Sequence, residues 1–83
     1  MVDSEATNRA HQILDCIGLY CPLPILRTRQ EIDKLGIGEV LEVWADDPAA
    51  EADLKAWAKH SGQRILEIKK TTNGIKFLIL KEN

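Results

Sequence analysis

The most chemically reactive side chain expected in this chain is Cys21, which opens the run Cys21-Pro22-Leu23-Pro24. Proline is favoured in the first turn of a helix, because its missing N–H has no helical partner there. The run therefore predicts a helix that starts at Pro22, with Cys21 as its N-cap. Free backbone N–H groups and the positive end of the helix dipole favour a thiolate over a thiol. We expect an exposed, reactive Cys21 whose pKa lies below that of a free cysteine.

The second cysteine, Cys16, allows two interpretations. It is either a buried residue at the end of a strand, or a resolving thiol that closes a disulfide with Cys21, which requires Cα atoms within about 7 Å. For Cys21 itself, burial as a small hydrophobe does not suit an N-cap that faces a loop. The C-x4-C spacing differs from that of zinc ribbons and redox motifs, and gives little support to a metal site with His11 and His60. We therefore expect no metal.

Asp15 and Gly18 frame the turn that leads to Cys21. Gly18 is expected to supply the backbone freedom that the turn needs. Asp15 is expected to hold the turn through its carboxylate. Because an anion beside Cys21 would raise the pKa of the thiol, we assign Asp15 a structural role.

A second helix start is indicated by Asp46-Asp47-Pro48. Asp47 is the expected N-cap, with Pro48 at the first helical position. Consecutive side chains usually point apart, which disfavours a paired-carboxylate acid–base site. Asp46 remains open to two roles, as a turn residue or as a polar contact for a partner.

Arg27 and Arg29 lie one to two turns into the first helix, and each has an acid four residues further on, at Glu31 and Asp33. Solvated ion pairs are the expected arrangement at this spacing. Arg29 borders the buried stripe of the helix, so it is also a secondary candidate for contact with an incoming anionic sulfur or a donor carboxylate.

The elements that must position these residues follow from hydrophobic periodicity and turn signals. Strands are predicted over Gln12 to Cys16, Val40 to Ala45, Arg64 to Thr71 and Ile75 to Lys81, the last two joined at Asn73-Gly74. Helices are predicted over Pro22 to about Leu35 and Pro48 to about Ser61, ended by Gly36 and Gly62. The inward stripes are Ile25, Thr28, Ile32 and Leu35, then Ala50, Leu54, Trp57, Ala58 and Ser61. The order β-α-β-α-β-β predicts an α/β two-layer sandwich, with both helices on one face of a four-stranded mixed sheet.

The opposite sheet face would be left open, carrying Val40, Trp44 and part of the hairpin. It is either a partly apolar solvated surface or a docking surface for a protein partner, since tryptophan is enriched at such sites.

Length and composition predict a single domain over residues 12–83, preceded by a polar, flexible tail over residues 1–11. No apolar stretch approaches the ~20 residues that span a bilayer, and no signal-peptide core is recognisable. We therefore expect a cytoplasmic protein without membrane contact. The formal charge of −2, with both signs interspersed, argues against direct nucleic-acid binding.

Two motifs of this chain resemble the TusA/SirA family of small sulfur-relay proteins. They are Leu14-Asp15-x-x-Gly18-x-x-Cys21-Pro22-x-Pro24 and Ala45-Asp46-Asp47-Pro48. The similarity extends from Ile13 to Lys81 and includes the element order and the Ser61-Gly62 helix ending. It implies a TusA-like domain, with Cys16 as a departure from the family pattern. The supporting residues expected around Cys21 are Asp15, Gly18, Pro22, Pro24, Arg29 and Asp46.

The resemblance implies a sulfurtransferase that acts as a carrier and holds sulfane sulfur as a persulfide on Cys21. A cysteine desulfurase or rhodanese-type protein would be the donor, and a partner protein thiol the acceptor, without a cofactor. Thiol exchange supplies the mechanism in both directions. We expect a monomer or weak oligomer, and tRNA thiolation, molybdenum-cofactor assembly and sulfur oxidation all remain open as pathways. The alternatives are a non-catalytic interaction module and a thiol–disulfide switch that uses Cys16 and Cys21.

Overall fold

The computed structural model describes residues 11–83. Its elements are β1 (Gln12–Cys16), α1 (Leu23–Asp33), β2 (Val40–Ala45), α2 (Ala50–Ser61), β3 (Arg64–Thr71) and β4 (Gly74–Leu80). This order confirms the predicted β-α-β-α-β-β arrangement. The tail expected over residues 1–11 lies outside the described residues, except for His11. The backbone N–H of His11 donates to the Val40 carbonyl oxygen at 2.7 Å, and the Val40 N–H donates to His11 Nδ1 at 3.0 Å.

The sheet is mixed, as predicted, with strand order β1-β2-β4-β3. β1 and β2 are parallel, and β4 is antiparallel to both β2 and β3. Because parallel strands end at the same edge of a sheet, the loop after β1 and the loop after β2 leave from neighbouring positions. The parallel pair therefore brings together two segments that are distant in sequence.

The hydrophobic core fills the space between the helices and one face of the sheet. β2 alternates as predicted, with Leu41, Val43 and Ala45 fully buried. The other residues of the central cluster are Cys16, Ile32, Ala50, Leu54, Phe77 and Ile79. A fully buried side chain of the size of Leu or Phe contributes about 1.5–3 kcal/mol, so this cluster fixes the positions of both helices.

The first helix is shorter at both ends than predicted. The prediction that Cys21 is its N-cap and Pro22 its first residue is wrong, because Pro22 is the N-cap and Leu23 begins the helix. At the other end, α1 stops at Asp33 and Lys34 is the C-cap. The N–H groups of Lys34 and Leu35 bond carbonyls three residues back, at 3.1 and 3.0 Å, so the last turn is tightened and the α-helix does not reach Leu35.

The stripe predicted for α1 does face the core. Thr28 and Ile32 are buried, while Ile25 and Leu35 are partly buried against the central cluster. The hydroxyl of the buried Thr28 donates to the Pro24 carbonyl oxygen at 2.7 Å, which satisfies its polar atom.

The second helix starts two residues later than predicted. Its N-cap is Ala49, and Asp47 and Pro48 lie outside it. The Asp47 carbonyl accepts a hydrogen bond from the Ala50 N–H at 2.9 Å, which makes a tight turn before the helix begins.

The end of the helix is as predicted, since Gly62 is a left-handed C-cap with φ of 82°. Buried Ala50, Leu54 and Ala58 face the core, with Trp57 packed partly against it.

The β3–β4 hairpin turns one residue earlier than predicted, since Gly74 is the first residue of β4 and pairs with Thr71. The Thr71 hydroxyl bonds the Gly74 carbonyl at 2.8 Å. Gly74 has φ of +138°, and a Cβ there would meet Ile17 Cδ1 at 2.8 Å and the Ala45 carbonyl oxygen at 3.0 Å. Only glycine allows the hairpin to lie this close to the loop after β1.

The sheet face away from the helices carries Glu42 and Trp44 of β2, opposite Leu78 and Lys76 of β4. The Trp44 indole N–H bonds the Glu42 carboxylate, so both side chains are held along the strand. Val40 lies on the same face but is only 7% exposed. A docking role for this face stays a prediction.

Within residues 11–83, no helix is long and apolar enough to cross a membrane.

A candidate thiol site at the end of the parallel strands

Cys21 lies in the loop between β1 and α1, which we call the thiol loop (residues 17–22). Its side chain is exposed and its thiol is free. Its backbone N–H donates to Asp47 Oδ2 at 2.7 Å. The Leu23 N–H bonds the Tyr20 carbonyl at 2.8 Å, which turns the chain into α1. The reactive residue is thus presented by a short loop whose backbone is fixed.

Asp47 is the main restraint on that loop. It belongs to the segment between β2 and α2, which we call the aspartate loop (residues 46–49), and is only 7% exposed. Its Oδ1 accepts the Ala49 N–H at 3.1 Å while its Oδ2 accepts the Cys21 N–H. A buried carboxylate is stable where it accepts such charge-assisted hydrogen bonds. Asp47 therefore joins the two loops that the parallel strands bring together.

Asp46 and Asp15 complete the support of the thiol loop. The Gly18 N–H donates to Asp46 Oδ1, and the Ile17 N–H donates to Asp15 Oδ1, each at 2.9 Å. Gly18 itself has φ of +85°, a conformation that favours glycine. Both aspartates of Asp46-Asp47 thus bond backbone groups of the thiol loop, although they are neighbours in sequence.

The electrostatic environment of Cys21 is the reverse of the one predicted from its helix. The pKa of the thiol is raised, first by its hydrogen bond to the Asp53 carboxylate, then by desolvation and by the negative charges of Asp53 and Asp47. The expectation of a lowered pKa is therefore wrong. Cys21 precedes the N-cap Pro22, so it does not occupy the capping position on which that expectation depended.

Asp53 is the site residue that sequence reasoning missed. It lies in the first turn of α2 and is partly exposed. An acid in that turn is normally explained by its favourable interaction with the helix dipole, and its sequence context contains nothing to suggest another role. The pairing of β1 with β2 brings together the thiol loop and the aspartate loop that leads into α2, where Asp47 bonds the Cys21 N–H.

Cys16 has no exposed surface and belongs to the central core cluster. Burial raises the pKa of its thiol, and the charge of Asp15 adds to this effect while that of Arg27 opposes it. Neither cysteine forms a disulfide. A resolving role for Cys16 would require the core around it to open.

Exposed apolar side chains flank Cys21 along the chain. Four large hydrophobic residues between positions 17 and 26 are substantially exposed, and we call them the apolar rim: Ile17 (40%), Tyr20 (69%), Leu23 (41%) and Leu26 (42%). Such a concentration of exposed apolar groups beside a reactive side chain is typical of an interaction site.

The remaining predicted residues are not all brought together. Pro22 is exposed beside Cys21, whereas Pro24 lies in the first turn of α1 and is buried. Arg29 is exposed on α1, and the charges that act on the Cys21 thiol are those of aspartates. Glu31 pairs with Lys34 at 3.2 Å. Among the ion pairs of residues 11–83, neither predicted pair, Arg27 with Glu31 or Arg29 with Asp33, is formed. No group of side chains within residues 11–83 could hold a metal ion.

Comparisons with known proteins agree with this fold. The family model for sulfurtransferase TusA matches residues 12–81. A putative sulfur carrier protein of Archaeoglobus fulgidus is 43% identical over 68 residues, covering 82% of this chain and 88% of that protein. The sulfur carrier protein TusA of Allochromatium vinosum is 43% identical over 70 residues, covering 84% and 92%.

Among solved structures, the crystal structure of a SirA-like protein from Desulfitobacterium hafniense matches with a TM-score of 0.76 at 27% identity. The match covers 87% of this chain and 99% of that one. The predicted fold class and the predicted resemblance are both confirmed. The chain belongs to the TusA family of sulfur carrier proteins.

Proposed function

We propose that this protein accepts sulfane sulfur as a persulfide on Cys21 and passes it to a thiol of a partner protein. The observation that carries the proposal is the contrast between an exposed thiol on a fixed loop and a second cysteine that is fully buried. One thiol is available to partners, as a relay requires. Membership of a family of sulfur carriers supports the same assignment.

The transfer is a pair of thiol exchanges. The Cys21 thiolate attacks the outer sulfur of a donor persulfide, the donor's S–S bond breaks, and the donor cysteine leaves as a thiolate. An acceptor thiolate then attacks the outer sulfur on Cys21, and Cys21 leaves in turn. The sulfane sulfur keeps its oxidation state throughout, so no external oxidant, reductant or cofactor is needed.

The carboxylates of the site are compatible with Cys21 acting as the nucleophile. A thiol with a raised pKa is ionised less often, but its thiolate is more nucleophilic once formed. Asp47, Asp46 and Asp15 hold the backbone of the thiol loop, so the sulfur has a defined approach.

The partners proposed are a cysteine desulfurase or rhodanese-type donor and an acceptor protein thiol, in the cytoplasm. The apolar rim is the surface on which both would dock. Residues 12–83 would carry the whole activity as one domain, with Arg29 as a further contact for the donor. The site is compatible with tRNA thiolation, molybdenum-cofactor assembly and oxidation of reduced sulfur compounds.

The test is the intact mass of the protein after incubation with thiosulfate or with a sulfur-loaded cysteine desulfurase. We expect wild type to gain the mass of one sulfur atom, Cys16→Ala to gain it equally, and Cys21→Ser to gain none. Absence of an adduct with every donor would favour a non-catalytic interaction module. Loss of two hydrogens instead would identify a thiol–disulfide switch.

A further inference from the structure

We propose that the sheet face away from the helices is the contact surface of a weak, two-fold symmetric dimer of this chain. We call this surface the open face, and it consists of the outward residues of all four strands. The inference goes beyond the proposed function, since it concerns a part of the molecule that takes no part in sulfur transfer.

The centre of the open face is apolar. β2 and β4 are the inner strands of the sheet, and their outward residues include Val40, Trp44, Leu78 and Leu80. Both helices pack against the opposite face, so no helix of the described chain covers these side chains. An apolar centre within a polar border is the usual construction of a protein–protein interface.

The two edges of the open face carry opposite charges in one row of residues. β1 and β3 are the edge strands of the sheet. On β1, Asp15 lies beside Trp44, and on β3, Lys69 lies beside Lys76 of β4. The row therefore runs from a carboxylate at one edge, through the tryptophan, to two ammonium groups at the other edge.

The two lysines of this row lack a carboxylate partner. Like charges directly opposite each other on neighbouring strands are destabilising, and neither Lys69 nor Lys76 belongs to an ion pair within residues 11–83. Lys70, by contrast, pairs with Glu51 of α2 at 3.4 Å. The row thus has an excess of positive charge at one edge that a negative group from outside would balance.

A second copy of the chain supplies that negative group. When two open faces meet about a two-fold axis parallel to the strands, β1 of each copy lies over β3 of the other, and β2 lies over β4. Asp15 of each copy is then opposite Lys69 of the other, and Trp44 is opposite Lys76, where an ammonium group over an indole ring is stabilising. Both contacts occur twice, as an isologous interface requires. Aligned packing of two sheets is the arrangement found in β-sandwiches.

The size of the open face predicts weak association. Four strands about 4.8 Å apart, with about five residues each, present a flat area of roughly 300–400 Å². This is below the roughly 800 Å² that each partner contributes to an interface of standard size. We therefore expect a monomer–dimer equilibrium rather than a permanent dimer.

The dimer leaves the thiol site uncovered. The thiol loop leads from β1 into α1, which lies on the side of the sheet away from the open face. Because the two-fold axis is parallel to the strands, both Cys21 residues lie at the same end of the dimer. Each copy therefore meets its own partners while the dimer is intact.

The first experiment measures the weight-average mass by analytical ultracentrifugation, from about 10 µM to about 1 mM protein. A Cys21→Ser background prevents dimers that are joined by a disulfide of the exposed thiol. We expect the mass to rise from that of the monomer towards twice that value. Lys69→Glu and Asp15→Lys each place like charges opposite one another, so each variant alone should associate several-fold more weakly. An equimolar mixture of the two variants should recover the association of the background protein, because both pairs in the mixed dimer again join opposite charges.

Asp33→Lys and Lys59→Glu are the matched controls, since they make the same charge changes at exposed positions on the two helices. Neither control should change the association. Circular dichroism of each variant checks that the fold is retained.

The second experiment follows the two indole N–H signals in the NMR spectrum of the Cys21→Ser protein, and needs no change in the open face. Trp44 lies on the open face, whereas Trp57 packs partly against the core from α2. We expect the Trp44 signal to shift with protein concentration and the Trp57 signal to stay in place.

A mass that stays that of the monomer, a mixture that associates no better than its components, an equal effect of the control variants, or a Trp44 signal independent of concentration would overturn the inference. The open face would then be left to solvent or to a different protein. Neither experiment uses the Cys21 thiol, so failure to form a persulfide would count against the proposed function alone.

Discussion

Cys16 and Cys21 are five positions apart and have opposite surroundings. Cys16 closes β1 inside the core, while Cys21 stands exposed on the thiol loop. The pKa of each thiol is raised, but Cys16 owes this to burial and Cys21 to the carboxylate of Asp53. Burial can be removed only by opening the core, whereas a carboxylate at the surface can be neutralised by a partner. The direction of a pKa shift therefore says less about function than its cause does.

The largest expected difference between the two cysteines is in their rates of labelling. Iodoacetamide should modify Cys21 in the native protein and leave Cys16 protected by about a thousandfold or more, because Cys16 reacts only through unfolding of the core. Mass spectrometry of proteolytic fragments after timed labelling would measure both rates. The protection should vanish in denaturant. Comparable labelling of the two thiols in the native state would contradict the contrast on which the proposed function depends.

A smaller effect is expected on removing the restraint that fixes Cys21. Asp47→Ala leaves the Cys21 and Ala49 N–H groups without their acceptor, and we expect it to lower the free energy of unfolding by about 1–3 kcal/mol. Urea unfolding followed by circular dichroism would measure the change. The matched control is Asp46→Ala, because Asp46 is exposed and water can replace its hydrogen bond, so a change within about 0.5 kcal/mol is expected. Equal losses would argue against a special role for the buried aspartate.

The smallest effect concerns stability at alkaline pH. Above the ordinary cysteine pKa of ~8.5 the unfolded chain releases the Cys16 proton, while burial keeps that proton bound in the folded protein. The unfolded state then binds fewer protons, so the free energy of unfolding falls as pH rises, until the pKa in the folded state is passed. We expect this decline in Cys21→Ser and its loss when Cys16→Ala is added. A decline that persists in the double variant would assign it to other groups.

The parts of the fold that depend on local pattern were predictable from the sequence. The alternation over Val40–Ala45 and the turn before Gly74 identified strands and hairpin to within one residue. The inward stripe with Thr28 and Ile32 identified the buried face of α1. These signals work because strand and helix periods are imposed within a few residues.

The site was less predictable, because its contacts join distant segments. Asp47 was expected only to cap α2, yet its bond to Cys21 spans 26 positions. The effect of Asp53 on the pKa of the Cys21 thiol depends on the same pairing of β1 with β2, for which no neighbouring residue gives a signal. The pKa prediction failed for this reason: it considered the helix that follows Cys21 and omitted the helix that lies beside it.

The apolar rim and Cys21 all lie within residues 17–26, and this has a consequence for the proposed relay. A donor and an acceptor that both need the same sulfur and the same four side chains compete for one position. Under the proposed function, the donor and the acceptor would therefore bind the carrier one after the other. The rate of sulfur transfer would then be limited by how quickly each partner dissociates from the carrier. Moderate affinity for both partners would therefore allow faster transfer than tight affinity for either one.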